Sequence, residues 1–219
     1  MTETRPATGR VQVKRKPDRG RYDRATIDAI LDEALICHVG FVVDGQPYVI
    51  PTIHARVDDR LYLHGSTASR MLRTMRGGIP ACVTATIVDG LVLARSVFDH
   101  SVNYRSVVVL GTAQEVTDLG EKMEALHAVV DHVASHRWDE ARHPTDDELR
   151  QTQVLRMELD EASAKVREGP PKDEPDDYSL SVWAGVLPLS LVPGEPIDDP
   201  ALMAGIPRPG WLGSYDRSQ

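Results

Sequence analysis

At 219 residues the chain can bury one substantial core, and its 41% hydrophobic and 26% charged residues are ordinary for a folded domain. A formal net charge of −8 makes nucleic acid and anionic membrane surfaces poor partners, so an anionic ligand needs a local basic pocket. The two cysteines, Cys37 and Cys82, sit in apolar runs and read as reduced thiols rather than a disulfide framework. No signal core opens the chain and no apolar run approaches the roughly 18 residues of a membrane span, so a cytoplasmic protein is expected.

Residues 1–20 are polar and basic, with Lys14, Arg15, Lys16 and Arg19, and read as a flexible arm. A domain then runs over residues 21–192. Asp23 can cap a helix in which Ile27, Ile30, Leu31, Ala34 and Leu35 recur at the spacing of one buried face. The period changes at Ile36 to Val43, a strand ended by Asp44-Gly45, a dipeptide suited to a two-residue hairpin. One strand is expected from Pro47 to Val57 and another from Leu61 to His64, after which Ser66 or Thr67 can cap a helix reaching Met75. Gly77-Gly78 ends it.

Ala81 to Val88 and Leu91 to Ser96 flank Asp89-Gly90, which repeats the hairpin signal. A strand from Asn103 to Val116 precedes helical spacing over Lys122 to Ala134. Arg137 to Asp147 reads as a loop leading to a helical turn at Glu148 to Gln151. Late strands are expected at Val154 to Leu159 and Ser163 to Arg167, then a surface loop over Gly169 to Asp177, and one more pairing within Trp183 to Leu191. Residues 193–219 are rich in proline and glycine and form an irregular tail. Antiparallel strands with helices at the margins predict a small closed sheet rather than alternating βαβ units.

The chain lacks the phosphate-loop, dinucleotide, GxSxG, HExxH and paired CxxC motifs, which disfavours the chemistries those spacings serve. The best anion candidate is His64-Gly65-Ser66-Thr67-Ala68-Ser69-Arg70, where a strand end passes through small hydroxyl residues into a helix start. Backbone N–H groups, hydroxyls and a bidentate guanidinium can together hold a phosphate there, and a plain capped helix is the alternative. His132 and His136 stand four apart, but without a third ligand they read as solvated helix surface, and no metal site is expected.

Five segments carry a resemblance. Tyr48-Val49-Ile50-Pro51-Thr52, Leu61 to Ser66 with Ser69-Arg70, Asp89 to Ser96, Asn103 to Val108, and Ser163 to Arg167 with Trp183-Ala184-Gly185-Val186 follow one another in order. They resemble the pyridoxamine 5'-phosphate oxidase-like superfamily, nearest to the flavin-binding relatives of nitroimidazole-resistance proteins. The resemblance implies a mainly β fold with flanking helices, an antiparallel, Greek-key-like split β-barrel that binds FMN at a homodimer interface. Deazaflavin or haem are the alternative ligands known among such relatives.

Carried over by position, the resemblance puts Pro51, Thr52 and Ile53 along the flavin ring and His64 and Gly65 beside it. Ser69 and Arg70 match the phosphate grip, with Ser66 a further cofactor-binding candidate, Arg105 and Ser106 match a contact from the other subunit, and Trp183 matches an aromatic near the ring. Two departures matter. The gripping pair is often Arg-Lys, whereas Met71 follows Arg70 here, and the Arg-x-His element of authentic pyridoxamine phosphate oxidases is replaced by Ala184-Gly185-Val186-Leu187-Pro188. Vitamin B6 oxidation is therefore not expected.

The activity implied is an FMN-dependent reductase of a small oxidised or nitro-type substrate, with a non-catalytic flavin carrier or sensor as the alternative. His64 is the candidate catalytic residue, since its imidazole titrates near neutrality, although packing is an equal explanation for it. Arg105 and Arg95 are candidates to face the ring edge where negative charge develops. Cross-strand ion pairs are their ordinary alternative.

Overall fold

The computed structural model describes residues 5–216. Part of the basic N-terminal segment is laid against the body: Val11 is buried, the Val13 amide donates to the Tyr22 hydroxyl, and β1 (Gly20–Arg21) pairs in a sheet. The Asp23 carboxylate accepts the Thr26 amide and so starts α1 (Arg24–Glu33), which buries Ile27, Ile30 and Leu31 as its spacing predicts.

A hairpin follows, β2 (Cys37–Val43) and β3 (Gln46–Thr52), turned by Asp44 and Gly45 with φ of 50° and 79°. The single strand expected from Pro47 to Val57 is divided. Beyond Ile53 the chain leaves the first sheet, and β4 (His54–Val57) pairs instead with β5 (Arg60–Ser66) in a second sheet. His54 anchors the crossing, fully buried and hydrogen-bonded through Nε2 to the Leu31 carbonyl at 2.9 Å. After α2 (Arg70–Met75) the second hairpin expected at Asp89-Gly90 is absent, because β6 (Pro80–Leu93) runs straight through it with only a register shift between Val88 and Gly90.

β7 (Ser101–Thr112) lies along β6, and at the buried Ala113 the chain again changes sheet to form β8 (Gln114–Glu115). The helix expected from Lys122 starts earlier, as α3 (Leu119–Val133) capped by Asp118. Two short helices follow, α4 (Arg137–Glu140) within the expected loop and α5 (Asp146–Gln151), which opens on a reciprocal Thr145–Glu148 cap. The late strands are β9 (Thr152–Glu158), β10 (Ala162–Arg167) and β11 (Gly185–Pro188).

The larger sheet has the order β1-β10-β7-β6-β2-β3, with β11 added to β6, and the smaller has β4-β5-β9-β8. Every pairing is antiparallel. Val39, Phe41, Val83, Ala85, Val107 and Val109 from the larger sheet meet Leu61, Leu63, Leu155 and Met157 from the smaller, with Met71, Leu72 and Met75 of α2 completing the core. Each large aliphatic side chain buried there contributes about 1.5–3 kcal/mol. The two sheets, joined where the chain crosses at Ile53 and Ala113, form the split-barrel architecture with helices at its margins. Among the described residues no helix is long and apolar enough to cross a membrane.

Candidate functional site

The turn between β5 and α2 is built from the residues proposed to hold phosphate, but most of its donors are already engaged. The Ser66 hydroxyl accepts the Ala68 amide at 3.1 Å, the Ser69 hydroxyl caps the helix by accepting the Leu72 amide, and the Thr67 amide donates to the Gln151 carbonyl at 2.9 Å. Ser69, rather than Ser66 or Thr67, is thus the cap. Gly65 lets α2 close on the strand end, since a Cβ there would stand 3.2 Å from the Leu72 methyl.

Arg70 remains available. It is exposed, lies 4.5 Å above the Tyr48 ring centroid and makes no hydrogen bond among the described residues. Met71, by contrast, is buried in the core, so it supplies nothing in place of the second base of an Arg-Lys pair.

His64 sits half-buried on β5 opposite Val154. Its Nδ1 is buried without a hydrogen-bond partner, and burial holds the imidazole below its ordinary value, favouring the neutral ring. Pro51 and Thr52 end β3, the outermost strand of the larger sheet, whose outer edge has no neighbouring strand among the described residues, and Ile53 follows where the chain crosses to the second sheet.

Arg105 and Ser106 are elsewhere engaged. Arg105 donates to Glu33 and to both oxygens of Asp89, which raises its already high pKa, and the Ser106 hydroxyl donates to the Lys165 carbonyl at 3.3 Å. Glu33 closes α1 and Asp89 lies far along β6, so nothing in the local sequence around Arg105 announced this triad. Arg95 is likewise held by Asp173, 2.9 Å from its carboxylate.

Trp183 is 67% exposed, and its indole folds over Gly185, where a Cβ would come within 2.8 Å of the ring. His132 and His136 do not share a helix face: α3 ends at Val133, and His132 turns inward to the Ala34 carbonyl at 3.0 Å.

The larger sheet also carries a continuous apolar surface. Val102, Leu91 and Leu187 lie in one row across β7, β6 and β11, all at least 36% exposed, and Val97 and Phe98 in the adjoining connection are about 90% exposed.

This fold, with a strand-to-helix turn presenting an uncommitted arginine, belongs to the split-barrel flavin-binding proteins. The chain is a member of the pyridoxamine 5'-phosphate oxidase family, whose model matches residues 23–166. No curated protein matches it in sequence.

Among solved structures it is similar to the flavocytochrome Anf3 from Azotobacter vinelandii, with 37% identity, a TM-score of 0.91, and coverage of 97% of this chain and 99% of that one. It is also similar to an FAD and haem binding protein from Mycobacterium smegmatis, at 37% identity and a TM-score of 0.86 over 90% and 96% of the two chains. A structure described as a 5-nitroimidazole antibiotic resistance protein from Bacteroides thetaiotaomicron shares 26% identity and a TM-score of 0.56 over 67% and 86%.

Proposed function

We propose that the chain is a flavin-dependent oxidoreductase that works as a homodimer, with Arg70 holding the flavin's phosphate and the edge strand at Pro51, Thr52 and Ile53 lying along the ring. One observation carries this reading: Arg70 is an exposed guanidinium at a strand-to-helix turn, supported by an aromatic face and committed to no carboxylate. A planar guanidinium with open donors matches phosphate oxygens two at a time.

FAD is favoured over FMN as the flavin, because the two relatives at 37% identity are described as a flavocytochrome and as an FAD and haem binding protein. A bound flavin supplies one- or two-electron transfer to a small oxidised acceptor. The neutral His64 imidazole beside it can give or take a proton during that transfer.

The homodimer is supported by the apolar surface around Leu91, Phe98, Val102, Leu187 and Trp183, which a second copy would cover. Haem, named together with FAD for the Mycobacterium smegmatis relative, is read as a companion to the flavin rather than a replacement.

Titration of FAD and FMN against wild type and Arg70→Ala tests the reading. The variant should bind flavin about 1.5–3 kcal/mol more weakly, roughly a 10- to 100-fold loss. Unchanged affinity would remove Arg70 from the phosphate site, and light scattering that finds a flavin-loaded monomer would remove the dimer.

A further inference from the structure

A second arginine lacks an anion, and it is buried. Arg167 ends β10 at 8% exposed, and its partners are amide oxygens alone: the Asn103 side chain and the Gly169 carbonyl. Its Nε is buried with no partner, and no carboxylate among the described residues reaches the guanidinium. Asn103 is itself committed, donating to the Gly169 carbonyl at 3.2 Å. A buried cation needs an opposite charge to offset its lost hydration, and neutral amides replace only part of that.

The neighbours add positive charge. β1 pairs with β10 so that Gly20 faces Lys165 and Arg21 faces Ala164, and Arg19, in the turn just before β1, is near enough for its charge to act on Arg167. Burial and the Arg19 charge push the Arg167 pKa down, outweighing an opposing pull from Tyr104. Lys165, two residues back, shares the strand face of Arg167. None of the three forms an ion pair with a described carboxylate, whereas Arg105 one strand away is bound by two.

We propose that Arg167, Arg19 and Lys165 form a second oxyanion site, which takes the phosphate or carboxylate of a bound cofactor that Arg70 does not hold. Ser106 faces Lys165 and Tyr104 faces Arg167, so the site lies along the strand already matched to a cofactor contact. The inference rests on the flavin reading above for its link to a cofactor, and on the structure alone for the anion.

The test uses the full chain stripped of bound ligand, with inorganic pyrophosphate as probe at matched ionic strength. Pyrophosphate should raise the wild-type melting temperature saturably by roughly 2–4 °C. Arg167→Gln and Arg19→Gln should abolish that rise, while Arg70→Gln keeps it. If a flavin diphosphate is the natural source, R167Q should lose about tenfold in FAD affinity with FMN affinity unchanged. If a haem carboxylate is the source, haem loading should fall with both flavins unaffected.

Wild-type responses to pyrophosphate, FAD and haem in both R167Q and R19Q would overturn the proposal. Should R167Q fail to fold, R19Q and Lys165→Gln decide the same comparisons, since both side chains are only half-buried. A wild type that binds neither flavin nor haem, yet loses its pyrophosphate response in R167Q, would sink the flavin reading and leave this site standing.

Discussion

By resemblance Arg70 and Arg105 are both expected to contact a flavin, and the fold treats them oppositely. Arg105 is half-buried in the middle of the larger sheet, where Glu33 and Asp89 both bind its guanidinium. Arg70 stands at the surface over Tyr48 with no carboxylate partner. A cation gripped by two carboxylates on separate elements ties α1 to β6 and β7, and it contributes to stability. A cation left with open donors contributes little to stability and is free for a ligand. What separates a binding arginine from a structural one is the set of charges that tertiary structure brings within reach.

The largest effect that would break this contrast is on stability at Arg105. Arg105→Ala strands two partly buried carboxylates and should lower the unfolding free energy by about 1–3 kcal/mol in urea denaturation. A neutral result would show that the triad holds nothing together. Next, Ser69→Ala removes the cap of α2 and should cost about 1 kcal/mol, measured by the same urea denaturation. A much larger loss of flavin affinity than of stability in that variant would instead give the Ser69 hydroxyl a direct contact with phosphate.

A smaller effect is tied to pH. His64 titrates near 6.5 in the unfolded chain but lower in the fold, so the unfolded state takes up its proton first as pH falls. Its contribution is complete above about 6.5 and declines as pH drops towards the folded value. His64→Gln should flatten the stability profile in that window, and an unchanged slope would show that the imidazole is solvated. The smallest effect is expected at Arg70, where Arg70→Ala should change stability by less than about 0.5 kcal/mol while weakening flavin binding.

Two identical dipeptides show where the sequence was sufficient. Asp44-Gly45 makes the hairpin expected of it, with both residues at positive φ and open space around the glycine. Asp89-Gly90 has the same letters and makes no turn. There the Asp89 carboxylate is drawn to Arg105, and Gly90 admits the β11 backbone, since an added Cβ would lie 3.0 Å from the Leu187 carbonyl. Local turn chemistry only proposes, and the flanking strands of β7 and β11 decide.

The strand-to-helix turn proposed to hold phosphate was legible in the run of small residues ending in Arg70, because its chemistry lies within seven consecutive residues. The fixed state of Arg105 was not, since Glu33 is 72 residues distant in the chain. Arg167 appeared in the sequence only within a late strand and a resembling segment, with no role of its own.

The sequence by itself determined α1, α2, α3 and α5, the first hairpin, the late strands and the family, since caps, periods and ordered motifs act over a few residues. Only the tertiary structure decided that the chain changes sheet at Ile53 and Ala113 and that β6 runs unbroken. It also decided which arginines are neutralised and which are left for an anion. Those outcomes depend on burial and charge contributed by distant segments, and no local pattern encodes them.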